Sequence, residues 1–319
     1  MTRTHTLQRM VQERRGAGPP DPAPPKRRIP RHRRTTPYLF LTPALGLLGV
    51  FFAWPAVTAV QLSFYDYRVV SAARWVGLDN FEHLLHDPRF WTALANSFLF
   101  MLGMLPILVA VPLLLAVLVN LPLRGIKAYR LLYYLPVVTS MVAVAIAWNY
   151  VFHQRGVLNW ALTSLGILDQ PVQYLLEPGW ALPALVVVES WKSLGYYMMI
   201  YLAGLQSIPR ELYEAAHVDG AGPVQRLWYV TVPLIRPYVA VVVVLAALDS
   251  MQVFTSVFVM TQGGPQDSTM TLGYYIYDEA FRRFDVGYAN SMGLVLWAIL
   301  IVLSLVSYKV TRGRTVTDL

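Results

Sequence analysis

Six long apolar runs constrain this chain more than any other feature. They lie at approximately Tyr38–Leu62, Ala93–Leu121, Tyr129–Phe152, Ala181–Gln206, Leu234–Met260 and Tyr288–Lys309. Wound as α-helix at about 1.5 Å per residue, each covers a hydrocarbon core of about 30 Å. Composition agrees, with 56% hydrophobic and only 14% charged residues against about 25% charged in a soluble domain. A soluble fold of 319 residues could not hide so much apolar side chain. The expected fold class is all-α integral membrane, with six transmembrane helices. Pro55, Pro106, Pro112 and Pro136 fall inside the runs. Neighbouring helices can satisfy the carbonyls they free, so kinks rather than breaks are expected.

Charge sets the orientation. Ten of the 26 Lys and Arg residues precede Pro37, so the net charge of +8 reflects one tail rather than a nucleic-acid surface. Residues 1–36, rich in Arg and Pro, read as a disordered basic cytoplasmic tail that meets anionic lipid. A basic segment before an apolar run can also mark a signal peptide, with Val57-Thr58-Ala59 as its cleavage site. The length of the first run, and the five that follow, favour an uncleaved helix. With the N-terminus inside, the inner segments hold Arg124, Lys127, Arg130, Arg210, Arg226, Arg236, Lys309, Arg312 and Arg314 besides the tail. The outer segments hold Arg68, Arg74, Arg89, Arg155, Arg282 and Arg283. Nineteen against six puts both termini in the cytoplasm. The expected organisation is a tail at 1–36, a six-helix domain at 37–311 and a cytoplasmic C-terminal tail at 312–319.

The inner loop between the fourth and fifth runs is the most informative segment. Pro209 and Glu211 suit a helix start, Leu212, Ala215, Ala216 and Val218 lie near one face, and Gly220 and Gly222 end it. Val224, Leu227 and Trp228 suggest a second short amphipathic helix closed by Pro233. Glu214-Ala215-Ala216, then three residues, Gly220, then nine residues and Val230-Thr231-Val232-Pro233 resemble the EAA loop of bacterial ABC-importer permeases, with valines where that pattern has Ile and Leu. Asp219-Gly220-Ala221 matches a common form of it. Val76-Gly77-Leu78-Asp79-Asn80-Phe81, Asp87-Pro88-Arg89-Phe90-Trp91 and Asn96-Ser97 resemble the first outer loop of carbohydrate-type permeases. Thr261-Gln262-Gly263-Gly264-Pro265, Tyr274-Tyr275-Ile276-Tyr277 and Ala280-Phe281 resemble the last outer loop of the branch that includes maltose permease F and glycerol-phosphate permease A.

The resemblance implies a type I importer fold in the bacterial cytoplasmic membrane. It implies a paralogous second permease, two identical ATPase subunits that bind the ATP and Mg, an extracytoplasmic solute-binding protein and a carbohydrate or glycerol-phosphate cargo. It also implies a coupling role for Glu214, Ala215, Ala216, Asp219, Gly220, Ala221 and Pro233. The simpler reading of that segment is an amphipathic connector on the membrane surface; the long matched spacing argues for coupling.

Polar residues inside the runs are expensive in lipid and normally face a cavity or a partner. Glu189 and Lys192 are three apart and could form a merely structural pair. The resemblance places substrate contacts on the helices flanking the loop, which selects Glu189, Lys192, Ser193, Tyr196, Tyr197, Asp249, Ser250 and Gln252. Tyr65, Tyr67, Trp75, Trp91, Tyr150, Trp160 and Trp180 read as interfacial belts. His83 and His86 lack a third ligand, and the chain has no cysteine, so no metal site is expected. No cluster of acids, histidines and nucleophiles marks a catalytic centre, and no Gly-x4-Gly-Lys-Ser/Thr marks a nucleotide site. A stand-alone ion-coupled carrier, using Glu189 and Asp249, remains the physical alternative.

Overall fold

The computed structural model describes residues 36–68, 72–121 and 125–312. The N-terminal tail as far as Thr35, Arg124 and the C-terminal tail beyond Arg312 lie outside the described residues. The chain divides after Pro55 into two units. In the first, helix α1 (Thr36–Leu48) leads through a wider π turn at Gly49–Ala53 into the start of α2 (Trp54–Leu62). The side chains from Tyr38 to Pro55 are exposed, and apolar groups such as Phe40, Phe52 and Trp54 dominate them. A helix apolar all round is at home in lipid. The π turn just ahead of Pro55 shifts the hydrogen-bond pattern where the proline N–H is missing, without ending the helix.

In the second unit, α2 ends at a small antiparallel pair, β1 (Tyr65–Asp66) and β2 (Arg74–Trp75), with Tyr65 opposite Trp75. Then come α3 (Asp79–His86), the 32-residue α4 (Pro88–Val119), α5 (Ile126–Val138), α6 (Met141–Phe152), α7 (Val157–Ser164) and the 29-residue α8 (Pro178–Gln206). The inner loop carries α9 (Arg210–Val218), α10 (Pro223–Arg226) and α11 (Val232–Leu234), the last two joined by a π turn at Leu227–Thr231. Beyond it are α12 (Arg236–Met251), α13 (Leu272–Tyr277) and α14 (Val286–Arg312), with π turns at Val257–Thr261 and Asp278–Arg282. Helix α4 packs on α8 and α12, α5 on α8, and α14 on α12. The core between them holds Phe90, Phe100 and Leu108 of α4, Tyr197, Met198 and Tyr201 of α8, Val242 and Ala246 of α12, and Met292 of α14. Gly195 lets α8 cross α5 at backbone distance, since a Cβ there would stand 2.2 Å from the Tyr133 carbonyl oxygen.

The helices depart from the expected runs in three places. The second begins at Pro88 rather than Ala93, because Asp87 caps it: Oδ1 accepts from the Arg89 N–H at 2.9 Å, and proline suits the first turn. Pro106 and Pro112 lie inside it without breaking it. The third run breaks instead of kinking. Three residues after Pro136 the chain turns extended at Thr139, and the two halves bend by 98°. The fifth run ends as α-helix at Met251, where the buried Thr271 hydroxyl takes the freed carbonyl of Val253 at 3.0 Å. Three described helices are long and apolar enough to cross a membrane alone, and two bent pairs bring the number to five. Helix α8 has the length of a sixth, at about 1.5 Å per residue, but Glu189 and Lys192 interrupt its apolarity.

Candidate functional site

The inner loop is a helix–turn–helix with little of its surface covered. Helix α9 closes at Gly220, whose φ of +81° is left-handed. Gly220 N–H donates to His217 O and Ala221 N–H to Ala216 O, satisfying the last carbonyls as a glycine C-cap does. Gly222 N–H then donates to Gln225 Oε1 at 2.8 Å, capping α10. The hydroxyls of Tyr213 and Thr231 meet at 3.0 Å and tie the two halves together. Glu214, Ala215, Asp219 and Gly220 are exposed, while Ala216, Ala221 and Pro233 are half-buried. Around them stand exposed Leu212, Val218, Val224, Trp228 and Tyr229. An apolar patch of this kind on an otherwise polar turn has the chemistry that docking surfaces share.

The helices that enter and leave this loop meet farther along in a cavity of ≈ 300 Å³. It is lined by Glu189 and Ser193 from α8, Asp249, Gln252 and Val253 from the end of α12, and Phe100 and Met104 from α4. Tyr197 stands behind it and donates its hydroxyl to Asp249 Oδ2 at 2.6 Å. Tyr196 packs edge-on against the Tyr197 ring and is itself exposed. Lys192 does not line the cavity; its Nζ donates to the Val137 carbonyl of α5 at 3.3 Å. Ser250 is fully buried and donates back to the Ala246 carbonyl within its own helix. Four of the eight residues expected on the pathway therefore share one cavity. Phe100 and Met104 were missed because an i, i+4 pair of apolar residues looks like any core stripe. Ser256 was missed as well. It is buried beyond the end of α12 and donates to Glu189 Oε1 at 2.6 Å.

At the N-terminal end of α4 the two outer-loop motifs hold each other. Asp87 Oδ2 accepts the hydroxyls of Tyr275 at 2.6 Å and Tyr288 at 2.7 Å. Arg89 forms a two-point contact with Asp267 at 3.2 and 3.3 Å. Asn96 Nδ2 donates to the Asp267 and Met270 carbonyls, and Ser97 Oγ accepts from the Leu272 N–H. Partial burial disfavours the Asp87 charge, but the two tyrosine hydroxyls and the Arg89 and Phe90 N–H groups outweigh it and hold the carboxyl below its ordinary range. Burial pushes the Glu279 carboxyl up, against the pull of Arg283. A polar cavity of ≈ 330 Å³ opens beside the clamp, with His83 on its wall. The His83 ring lies against Tyr288, and His86 Nδ1 bonds the Glu82 carbonyl.

The family described as "binding-protein-dependent transport system inner membrane component" matches residues 72–314. The chain is 34% identical over 290 residues to the lactose transport system permease protein LacF of Rhizobium radiobacter, covering 90% of this chain and 97% of that one. It is 34% identical over 292 residues to the sn-glycerol-3-phosphate transport system permease protein UgpA of Escherichia coli, covering 88% and 95%. Among solved structures, a bacterial alginate ABC transporter in complex with an alginate pentasaccharide-bound periplasmic protein matches with a TM-score of 0.76 and 28% identity, over 88% of this chain and 95% of that one.

Proposed function

Because the chain belongs to the family of binding-protein-dependent transport system inner membrane components, and is thus a permease subunit of an ABC importer in the type I fold, we propose that it forms one half of a carbohydrate pathway. The carbohydrate assignment draws on relatives such as the lactose permease. One observation carries the pathway reading: Glu189 and Ser193 of the helix before the inner loop share a cavity with Asp249 and Gln252 of the helix after it. The chain is a permease and not itself an enzyme; ATP and Mg are bound by separate, identical ATPase subunits. A paralogous permease supplies the other half of the pathway. A solute-binding protein docks on the outer loops; the similar alginate transporter is described in complex with a periplasmic protein. Both termini lie in the cytoplasm, following the positive-inside count.

The mechanism is alternating access. Nucleotide draws the ATPase subunits together, and the patch around Glu214, Ala215, Ala216, Asp219, Gly220 and Ala221, backed by Pro233, moves with them. Helices α8 and α12 carry that motion to the cavity, which opens outward to receive solute and inward after hydrolysis. Hydroxyl-rich cargo suits the site, since Glu189, Asp249, Ser193 and Gln252 offer acceptors and donors. Proteoliposomes test the reading. Uptake should require this chain, its paralogue, the ATPase, the binding protein and ATP together. Uptake by this chain alone along an ion gradient would establish the carrier reading, for which Glu189 and Asp249 would be the coupling acids.

A further inference from the structure

The lining of the central cavity is one-sided in charge. Of its seven residues two are carboxylates, Glu189 and Asp249, and none is Lys, Arg or His. Each carboxylate has one oxygen occupied, Glu189 Oε1 by the Ser256 hydroxyl and Asp249 Oδ2 by the Tyr197 hydroxyl, both at 2.6 Å. Glu189 Oε2 and Asp249 Oδ1 have no hydrogen-bond partner among the described residues. Lys192 lies within electrostatic range of Glu189, but its amine is turned to the Val137 carbonyl. We infer that this half of the pathway selects cargo by charge, admitting uncharged polyhydroxyl solutes and rejecting phosphate esters, uronates and sulfonates.

The inference rests on the cavity being the pathway. A carboxylate oxygen can only accept, and a sugar hydroxyl is a donor that fits it; the ionised group of a phosphate ester or uronate adds acceptors and negative charge with no donor of its own. The protein supplies Ser193 and Gln252 as donors, too few to offset an ionised carboxylate at short range. An effective dielectric near 20 makes each carboxylate about 8 Å from an anion worth a roughly 30-fold loss of affinity. A fold shared with a glycerol-3-phosphate permease leaves the sign of the cargo open, so the sign must be written in such side chains.

The test uses the assembled transporter, with this chain, its paralogue and the ATPase, in nanodiscs that leave both faces open. Binding of lactose, glycerol 3-phosphate and digalacturonate is read by saturation-transfer NMR. We expect the wild type to favour lactose. Glu189→Gln with Asp249→Asn should strengthen binding of both anions at least 10-fold while weakening that of lactose, whose hydroxyls lose two carboxylate acceptors. Unchanged anion binding in the double variant overturns the inference. So does an anion preference in the wild type that Lys192→Met abolishes, since the amine would then be the anion site. Ser193→Trp separates the two levels. If it blocks ATP-driven uptake of the sugar retained by the binding protein while the double variant leaves anion binding unaltered, the pathway stands and the charge filter falls. If uptake survives Ser193→Trp, the pathway reading falls and the filter with it.

Discussion

Replacing Asp87 with alanine should loosen the outer end of the bundle by several kcal/mol. Besides the Phe90 N–H, three bonds end on this carboxylate: the capping N–H of Arg89 at 2.9 Å, and the hydroxyls of Tyr275 and Tyr288 at 2.6 and 2.7 Å. Loss of a cap costs about 1 kcal/mol, and a hydrogen bond to a charged group is worth about 1.5–3 kcal/mol net. Asp87 is half-buried while both tyrosines are buried, so the carboxylate keeps some hydration. A loss of about 4–5 kcal/mol follows, in the lower part of the summed range. Asp87→Asn keeps an acceptor at the cap and should lose about half of that. The sharper measurement is a double-mutant cycle. Tyr275→Phe should cost about 1.5–2 kcal/mol in the wild type and close to nothing beside Asp87→Ala, where the hydroxyl is already stranded. Hydrogen exchange across the segment from Thr261 to Tyr277, in the assembled transporter, reads local opening directly. Equal effects of Tyr275→Phe in both backgrounds, or less than 1 kcal/mol for Asp87→Ala, would refute the clamp. The pH dependence has a fixed sign. Asp87 is held below its ordinary range in the folded state, so its contribution is complete above the unfolded pKa and fades as pH falls through the lower folded value. Exchange protection of this segment should therefore be flat across neutral pH and fall only below about pH 4.

Two glycines should fail for opposite reasons. A Cβ at Gly220 meets nothing within 4 Å, so only its φ of +81° opposes substitution. Gly220→Ala should cost about 1–2 kcal/mol in loop stability and Gly220→Asn less, with insertion normal and ATP-driven uptake reduced in that order; equal uptake by the two variants would break the link. At Gly195 the backbone is an ordinary helix, but a Cβ would strike the Tyr133 carbonyl at 2.2 Å. Gly195→Ala should force α5 and α8 apart and lower the midpoint of thermal unfolding by at least the effect of about 1–3 kcal/mol of overpacking. An unshifted midpoint would mean the helices do not touch there.

What could be read from the chain was what is local. Length and apolarity found the six runs, and the Glu-Ala-Ala to Pro spacing found the loop. The Asp87-Pro88 pair was a readable helix start, yet an apolar window placed the boundary at Ala93 because Arg89 and Trp91 dilute it. The break at Thr139 was not readable, since Pro136 predicts a disturbance without its size. Contacts of long sequence separation left no trace at all: Asp87 and Tyr288 are 201 residues apart and Glu189 and Ser256 are 67 apart. Motif residues such as Asn96 and Ser97 stood out as a pattern. Their work, holding the backbone at Met270 and Leu272, became visible only once the two loops were side by side.

The bend between the inner loop and α12 has a mechanical consequence. The helical stretch Pro223–Leu234 meets Arg236–Met251 at 69°, the geometry of a bell crank. On the proposed coupling role of the loop, a push along the first arm emerges as rotation of the second. Asp249 rides about 20 Å up that second arm, and Glu189 about 26 Å up α8, at about 1.5 Å per residue. A tilt of about 5° then displaces either side chain by about 2 Å. The Tyr197–Asp249 bond, 2.6 Å long, breaks beyond about 3.5 Å. On that role, a stroke of this size is enough to part the Tyr197 hydroxyl from Asp249 and break their bond between α8 and α12.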